Sequence, residues 1–344
     1  MKCMQIEKIT DLTVNRQPLV YTGREIPRPG KKEIQIRLSV CGVCHTELDE
    51  IEGRTPPPHM PVIPGHQAVG RISALGPGAS KWEIGDRVGV AWIYSACGVC
   101  AYCKAGLENL CAGFKATGRD ADGGYAEYMT VPELYAYKIP ERFSSAQAAP
   151  MLCAGAIGYR SLRLTGIKNG DPLGLTGFGA SAHLVLKLVR VHYPDTKVYV
   201  FARSEQEREF AVGLGAVWAG DTGETAPEQL QAIIDTTPVW KPILSALENL
   251  APNGRLVINA IRKEDADKFD LAGLDYPKHL WMEKDIKSVA NVTRKDVAGF
   301  LDLAAEAGIN PEYQEYELKD ANEALLDMKE RRIRGAKVLR ISED

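Results

Sequence analysis

The sequence lacks any stretch approaching the roughly 20 consecutive apolar residues that a membrane-spanning helix needs, which argues against an α-helical membrane protein. It also lacks a run of Lys and Arg, and its formal net charge is -3. Affinity for phosphate polymers comes from clustered cations that release counterions, so nucleic acid is not an expected partner. The start, Met1-Lys2-Cys3-Met4-Gln5, has no apolar signal core, and the expectation is a cytoplasmic protein whose thiols stay reduced. Internal repeats, low-complexity segments and flexible linkers are missing as well.

What is present is an ordinary globular balance, 45% hydrophobic and 25% charged, over 344 residues. A single core rarely grows that large, so two domains are expected. Up to about residue 150 the chain reads as short β-type runs broken by Pro and Gly, such as Glu33 to Val40 and Gly85 to Val90. Past Cys153 strand-like and helix-like stretches alternate: Asp171 to Thr176, Ala180 to Val191, Lys197 to Ala202, Ser204 to Leu214. Further units follow at Gln231 to Asp235, Lys241 to Leu250, Arg255 to Asn259 and Ile286 to Ala290. Strand alternating with helix means a parallel sheet. Two helical stretches, Asp296 to Ala307 and Ala321 to Lys329, precede a last strand, Ala336 to Ile341, which is expected to pair back into the first domain.

Four of the eight cysteines, Cys97, Cys100, Cys103 and Cys111, crowd into fifteen residues, a spacing that lets four thiolates converge on one tetrahedral ion. With no open position that would be a structural zinc; the bland alternative is reduced thiols or two disulfides. A second set is scattered: Cys44 in Cys41-Gly42-Val43-Cys44-His45-Thr46-Glu47, His66 after Pro64-Gly65, and Cys153 before Ala154-Gly155. Taken singly, each reads more easily as a satisfied core residue. If they meet, two thiolates and an imidazole leave the fourth position on zinc open, and an open zinc is a Lewis acid for an alcohol oxygen.

The third signal is Gly174-Leu175-Thr176-Gly177-Phe178-Gly179-Ala180-Ser181-Ala182-His183, a Gly-x-Gly-x-x-Ala pattern at a strand-to-helix turn, suited to a dinucleotide pyrophosphate. About twenty residues on, where a NAD-selective unit carries an acid for the ribose 2′-hydroxyl, the chain has Ala202, then Arg203 and Ser204, a pattern compatible with the 2′-phosphate of NADP. A surface Arg beside a helix-capping Ser is the competing reading of the last two residues.

Together these motifs resemble, over essentially the whole chain, the zinc-containing branch of the medium-chain dehydrogenase/reductase family, most closely its yeast-like and cinnamyl-alcohol-type alcohol dehydrogenases. The resemblance implies an α/β fold. A GroES-like β-rich catalytic domain would comprise residues 1–154 and 291–344, and a doubly wound Rossmann domain residues 155–290, with the active site in the cleft. It implies a catalytic zinc on Cys44, His66 and Cys153, a structural zinc on Cys97, Cys100, Cys103 and Cys111, and Thr46 as hydrogen-bond partner of the substrate oxygen. Glu47 takes the acidic position behind the ligands, Trp92 the substrate pocket, and His45 a place near the cofactor phosphates. Gly177, Phe178, Gly179, Ala180 and Ser181 line the pyrophosphate, with Ala260 and Ile261 near the nicotinamide.

The chain departs from that family at Gln67, where a Glu is usual, at Asp49, where a proton-relaying His is common, and at Ala336, where an Arg commonly meets the pyrophosphate. Gln67 supplies no negative charge to the zinc, and Asp49 relays a proton, if at all, with a pKa far from that of His. The expected activity is hydride transfer between a primary alcohol or its aldehyde and NAD(P), leaning to NADP, in a homotetramer or homodimer. A polyol or amino-alcohol dehydrogenase of the same family, or a non-catalytic zinc and nucleotide binder, are the alternatives.

Overall fold

In the computed structural model, which describes residues 1–330 and 335–343, the chain divides into two compact units, Met1–Ala156 with Val292–Asp344, and Ile157–Asn291.

The first unit is built on a seven-stranded sheet. Its order is Tyr313–Glu317, Ala336–Arg340, Glu33–Val43, Ala68–Leu75, Arg87–Val90 and Ala136–Lys138, and Tyr128–Pro132 also pairs with Glu33–Val43. Glu33–Val43 shows why a period of two specifies a strand: Ile34, Ile36 and Leu38 are wholly buried in the unit's main apolar cluster, whereas Gln35 and Arg37 between them are not. The late strand Ala336–Arg340 lies antiparallel to it, with Leu339 opposite Cys41 and Lys337 opposite Val43. On its other side it has a parallel neighbour that the sequence did not announce, Tyr313–Glu317.

The helix Arg294–Glu306 is capped by Thr293, whose hydroxyl accepts the Asp296 N–H (3.2 Å) while the Asp296 carboxylate accepts the Thr293 N–H (2.9 Å). Val297, Phe300, Leu301 and Ala304 form its buried stripe, at the i, i+3, i+4, i+7 spacing of one helix face.

The second unit carries a six-stranded parallel sheet in the order Trp218–Gly220, Val198–Phe201, Leu173–Thr176, Leu230–Asp235, Leu250–Ile258, Asp285–Ser288. The order reverses on either side of Leu173–Thr176, which is the doubly wound topology that places ligands at the carboxyl ends of the strands. The helix Ala180–His192 follows Leu173–Thr176, and Glu205–Gly213 follows Val198–Phe201. The strand expected from Arg255 begins earlier, at Leu250. Leu250 pairs with Leu230, and after the Pro252-Asn253-Gly254 irregularity the ladder resumes with Arg255 opposite Ala232. Trp218–Gly220 also escaped the sequence reading, since three residues are too few to show a period.

Candidate active site

Cys44 links the long strand Glu33–Val43 to the short helix His45–Ile51; His66 follows the turn at Gly65; Cys153 lies in a π-helical turn, Met151–Gly155, that continues the helix Ser145–Pro150. Gly65 is required there. Its φ is +98°, and a Cβ would lie 2.3 Å from the buried Tyr125 ring. The π-turn follows Pro150, whose missing N–H removes a regular helical hydrogen bond, and such turns recur at functional sites.

Three distant segments thus bring their donor atoms within 4.8 Å of one another. Cys44 Sγ and Cys153 Sγ are 3.9 Å apart, and His66 Nε2 is 3.3 Å from Cys153 Sγ. A tetrahedral zinc with Zn–S of about 2.3 Å and Zn–N of about 2.0–2.1 Å puts such sulfurs about 3.8 Å apart and S···N pairs about 3.6 Å apart. The separation is far too long for a disulfide bond of about 2.05 Å. The donor set therefore fits one zinc ion with a position left open. Cys97, Cys100, Cys103 and Cys111 make a second cluster, with Cys97 and Cys103 Sγ 3.9 Å apart and Cys100 capping the helix Ala101–Lys104. Four sulfurs fill a tetrahedron and leave nothing open.

Behind the three-donor set lies Glu47, wholly buried. One carboxylate oxygen accepts the Cys44 backbone N–H at 2.6 Å, and the other lies 2.7 Å from His66 Nδ1. A single carboxylate so fixes two of the three donors and favours the tautomer that leaves Nε2 free. Burial pushes the Glu47 carboxyl up, and His66 pulls it back. Hydrogen bonding from the Cys153 thiol, opposed by burial and aided by His66, holds Cys44 well below the usual thiol range.

The other expected residues fall as follows. Thr46 is buried with its hydroxyl 3.6 Å from Cys44 Sγ, and His45 beside it is exposed. Asp49 is buried and ion-paired to Arg54. The Trp92 ring is half-buried and packs on Phe114, centroids 4.6 Å apart. Gln67 is buried with its side chain against Gly42, and Ala336 is buried in its strand.

In the second unit, Gly177 turns at φ +78°, its N–H donating to Phe201 O (2.8 Å), and Gly179 precedes the helix Ala180–His192. Phe178 is buried edge-on to Phe210, and the Ser181 hydroxyl accepts from Asn259 Nδ2 at 3.4 Å. Ala202 is buried just past the strand Val198–Phe201, whereas Arg203 is exposed and Ser204 caps the next helix by accepting the Glu207 N–H at 3.2 Å. Ala260 is half-buried and Ile261 exposed in the loop that follows Leu250–Ile258.

Two neighbours went unnoticed in the sequence. Arg208 donates to the carbonyls of Ala202 (2.8 Å) and Arg203 (2.9 Å), one helical turn past Ser204. Glu50, three residues beyond Glu47 on the same helix, is wholly buried, and neither carboxylate oxygen has a hydrogen-bond partner among the described residues. Burial, with the like charge of Glu47, holds its carboxyl well above the usual range. The i, i+3 spacing from Glu47 was the one signal that could have pointed to it.

Residues 30–141 match the alcohol dehydrogenase GroES-like domain. The chain is 42% identical over 329 residues to the probable alcohol dehydrogenase AdhA of Mycobacterium tuberculosis, covering 94% of this chain and 93% of that protein. It is 33% identical over 268 residues to a probable cinnamyl alcohol dehydrogenase of Populus deltoides, covering 73% of each. Its fold matches that of CAD from Helicobacter pylori complexed with NADP(H), with a TM-score of 0.85 at 23% identity over 98% and 97% of the two chains. The chain belongs to the zinc-type medium-chain alcohol dehydrogenases. It is an NAD(P)-dependent oxidoreductase acting on alcohols or their aldehydes.

Proposed function

We propose that this enzyme interconverts primary alcohols, aliphatic or aromatic, and their aldehydes, with a catalytic zinc on Cys44, His66 and Cys153, a structural zinc on Cys97, Cys100, Cys103 and Cys111, and a preference for NADP. The observation that carries the reading is the convergence of two thiols and an imidazole, with the Thr46 hydroxyl beside them. When bound, the metal supplies Lewis acidity toward the substrate oxygen, and the dinucleotide accepts or donates the hydride.

The chain's own part is to position and to move a proton. Glu47 orients Cys44 and His66. During oxidation Thr46 Oγ1 takes the substrate hydroxyl's proton only as its own passes onward to solvent, and reduction runs the same relay backwards. Onward relay through Asp49 would require its pairing with Arg54 to open. Trp92, stacked on Phe114, supports an apolar wall that favours unbranched and aromatic substrates over polyols. By the family resemblance we assign the turn Gly177 to Ser181 and His45 to the cofactor phosphates, and Ala260 and Ile261 to the nicotinamide amide. Ala202 offers no acid to the ribose 2′-hydroxyl, while Arg203 and Ser204 offer a cation and a hydroxyl to a 2′-phosphate.

The enzyme is assigned to the cytoplasm, and among the described residues no helix is long and apolar enough to cross a membrane. Assembly as a homodimer or homotetramer is supported by Asp285–Ser288, an exposed strand at the edge of the parallel sheet. Exposed Tyr276, Trp281 and Met282 precede it in the chain, and such an edge invites pairing with another strand. Light scattering tests it.

The deciding assay is the initial rate of benzaldehyde reduction with NADH and with NADPH, before and after treatment with a chelator, extended to benzyl alcohol, a linear primary alcohol, sorbitol and threonine. Chelator-sensitive turnover, faster with NADPH and on benzyl alcohol than on sorbitol or threonine, is expected. No turnover on any of these in protein holding two zinc ions per chain overturns the reading.

A further inference from the structure

At the carboxyl end of the parallel sheet, the second unit holds a buried ion pair that no step above uses. Asp235 ends the strand Leu230–Asp235 and is wholly buried; Lys263, in the loop after Leu250–Ile258, has its side chain only 6% exposed and pairs with it. All three ammonium hydrogens find acceptors, since Lys263 Nζ also donates to the carbonyls of Thr237 (2.9 Å) and Val239 (2.8 Å). One cation from one loop thus gathers three acceptors from the next. Burying an ammonium is tolerated only when it is so completely satisfied.

The segment it gathers leans on the glycine turn. Asp235 lies opposite Thr176, the residue before Gly177. Thr236 donates its N–H to Thr176 O at 2.9 Å, and its hydroxyl lies 3.0 Å from the same oxygen. A Cβ added to Gly177 would meet Thr236 Oγ1 at 2.8 Å and Thr237 Cγ2 at 3.1 Å. The Thr237 hydroxyl in turn bonds the Asp235 carboxylate at 2.7 Å. A continuous set of contacts therefore runs from the Lys263 ammonium, through Asp235 and the two threonines, to the backbone of the pyrophosphate turn.

We infer that Lys263 is a positioning residue for coenzyme binding: paired with Asp235, it sets the shape of the segment 235–239 that buttresses the glycine turn. It acts on the part of the site common to both dinucleotides, so its loss weakens both alike. The inference rests on the dinucleotide reading of that turn. If the unaltered enzyme binds neither NADH nor NADPH, that reading fails; if it binds and the variants bind equally well, the inference fails.

Lys263→Met, assayed as intact enzyme by coenzyme fluorescence titration, is expected to raise Kd for NADH and NADPH by the same factor, about tenfold or more. Its kcat at saturating coenzyme should stay within about twofold of the parent's, with zinc content unchanged. Lys263→Arg, which keeps the charge, should recover most of the affinity. A fall in Tm with both Kd values unmoved would show a purely structural staple and overturn the inference, as would a loss confined to one coenzyme. If Lys263→Met does not fold, Asp235→Asn carries the test: its amide oxygen can still accept from Thr237, so about three- to tenfold weaker binding is expected, and unchanged binding overturns the inference.

Discussion

Replacing Glu47 by Gln changes no volume and removes one charge, so it isolates what the buried carboxylate does behind the three metal donors. In the parent, one oxygen holds the Cys44 N–H at 2.6 Å and the other lies 2.7 Å from His66 Nδ1. Gln has one acceptor and one donor group in place of two acceptors. If its oxygen stays on the Cys44 N–H, its NH2 faces His66 Nδ1, and the imidazole must carry its proton on Nε2, the atom needed for the metal. If it turns the other way, two N–H groups confront each other at Cys44. Either way the buried imidazole or the Cys44 N–H loses a charged partner, a loss of about 1.5–3 kcal/mol, or roughly ten- to a hundredfold in metal affinity. The assay is stopped-flow zinc release to a chromophoric chelator, in which the two sites should empty in separate phases. The catalytic phase should accelerate and the four-cysteine phase stay unchanged, while Glu47→Asp falls between. Release indistinguishable from the parent's, or both phases accelerated equally, would refute the reasoning.

Gly155→Ala should cost about 1–3 kcal/mol of stability, because the new Cβ would lie 2.0 Å from Cε1 of the buried Phe300 ring. It should also lower catalytic zinc occupancy, as Cys153 sits two residues away in the same turn; Phe300→Leu in the same chain should restore both, and strictly additive thermal shifts would count against it. Glu108→Gln tests a charge. Although burial pushes the Glu108 carboxyl up, the Arg294 backbone N–H (2.8 Å) and guanidinium (3.0 Å) hold it below the usual range. A depressed carboxyl stabilises above its unfolded pKa of about 4.3, and that contribution is lost as pH falls through the folded pKa. The variant should therefore be about 1–2 kcal/mol less stable near pH 7, discounted for the partly exposed Arg294, and the gap should close on acidification in denaturant melts. A gap that does not change with pH would contradict this assignment.

What the sequence disclosed and what it concealed divide along the range of the interactions. The helix expected from Ala180 to Val191 is found as Ala180–His192, and that expected from Ala321 to Lys329 as Ala321–Lys329, because a 3.6-residue period and its end signals are local. The four-cysteine lobe was visible for the same reason. Tyr313–Glu317 was not: Tyr-Gln-Glu-Tyr-Glu has a single buried residue, and only its parallel pairing with Ala336–Arg340 makes it a strand. Nothing in the residues from Met151 to Gly155 announces a π-turn either, apart from the proline before them.

Cys44, His66 and Cys153 stand between these cases. Each was nameable through a family resemblance, yet what brings them together is sheet register: Cys41 opposite Leu339 on one side and Ala68 on the other places the end of that strand beside the turn that carries His66. The groups that most escaped notice, Glu50, Asp235 and Lys263, are charged residues that by composition belong on the surface. Their burial follows from tertiary structure alone, and the two fates differ in a way that matters. Lys263 and Asp235 neutralise each other and saturate their hydrogen bonds, so that pair can specify a shape. Glu50 has no such partner among the described residues, so its burial is a cost, and Glu50→Gln should leave the protein at least as stable as the parent near neutral pH. A thermal midpoint several degrees lower in Glu50→Gln would show that the carboxyl is holding something after all.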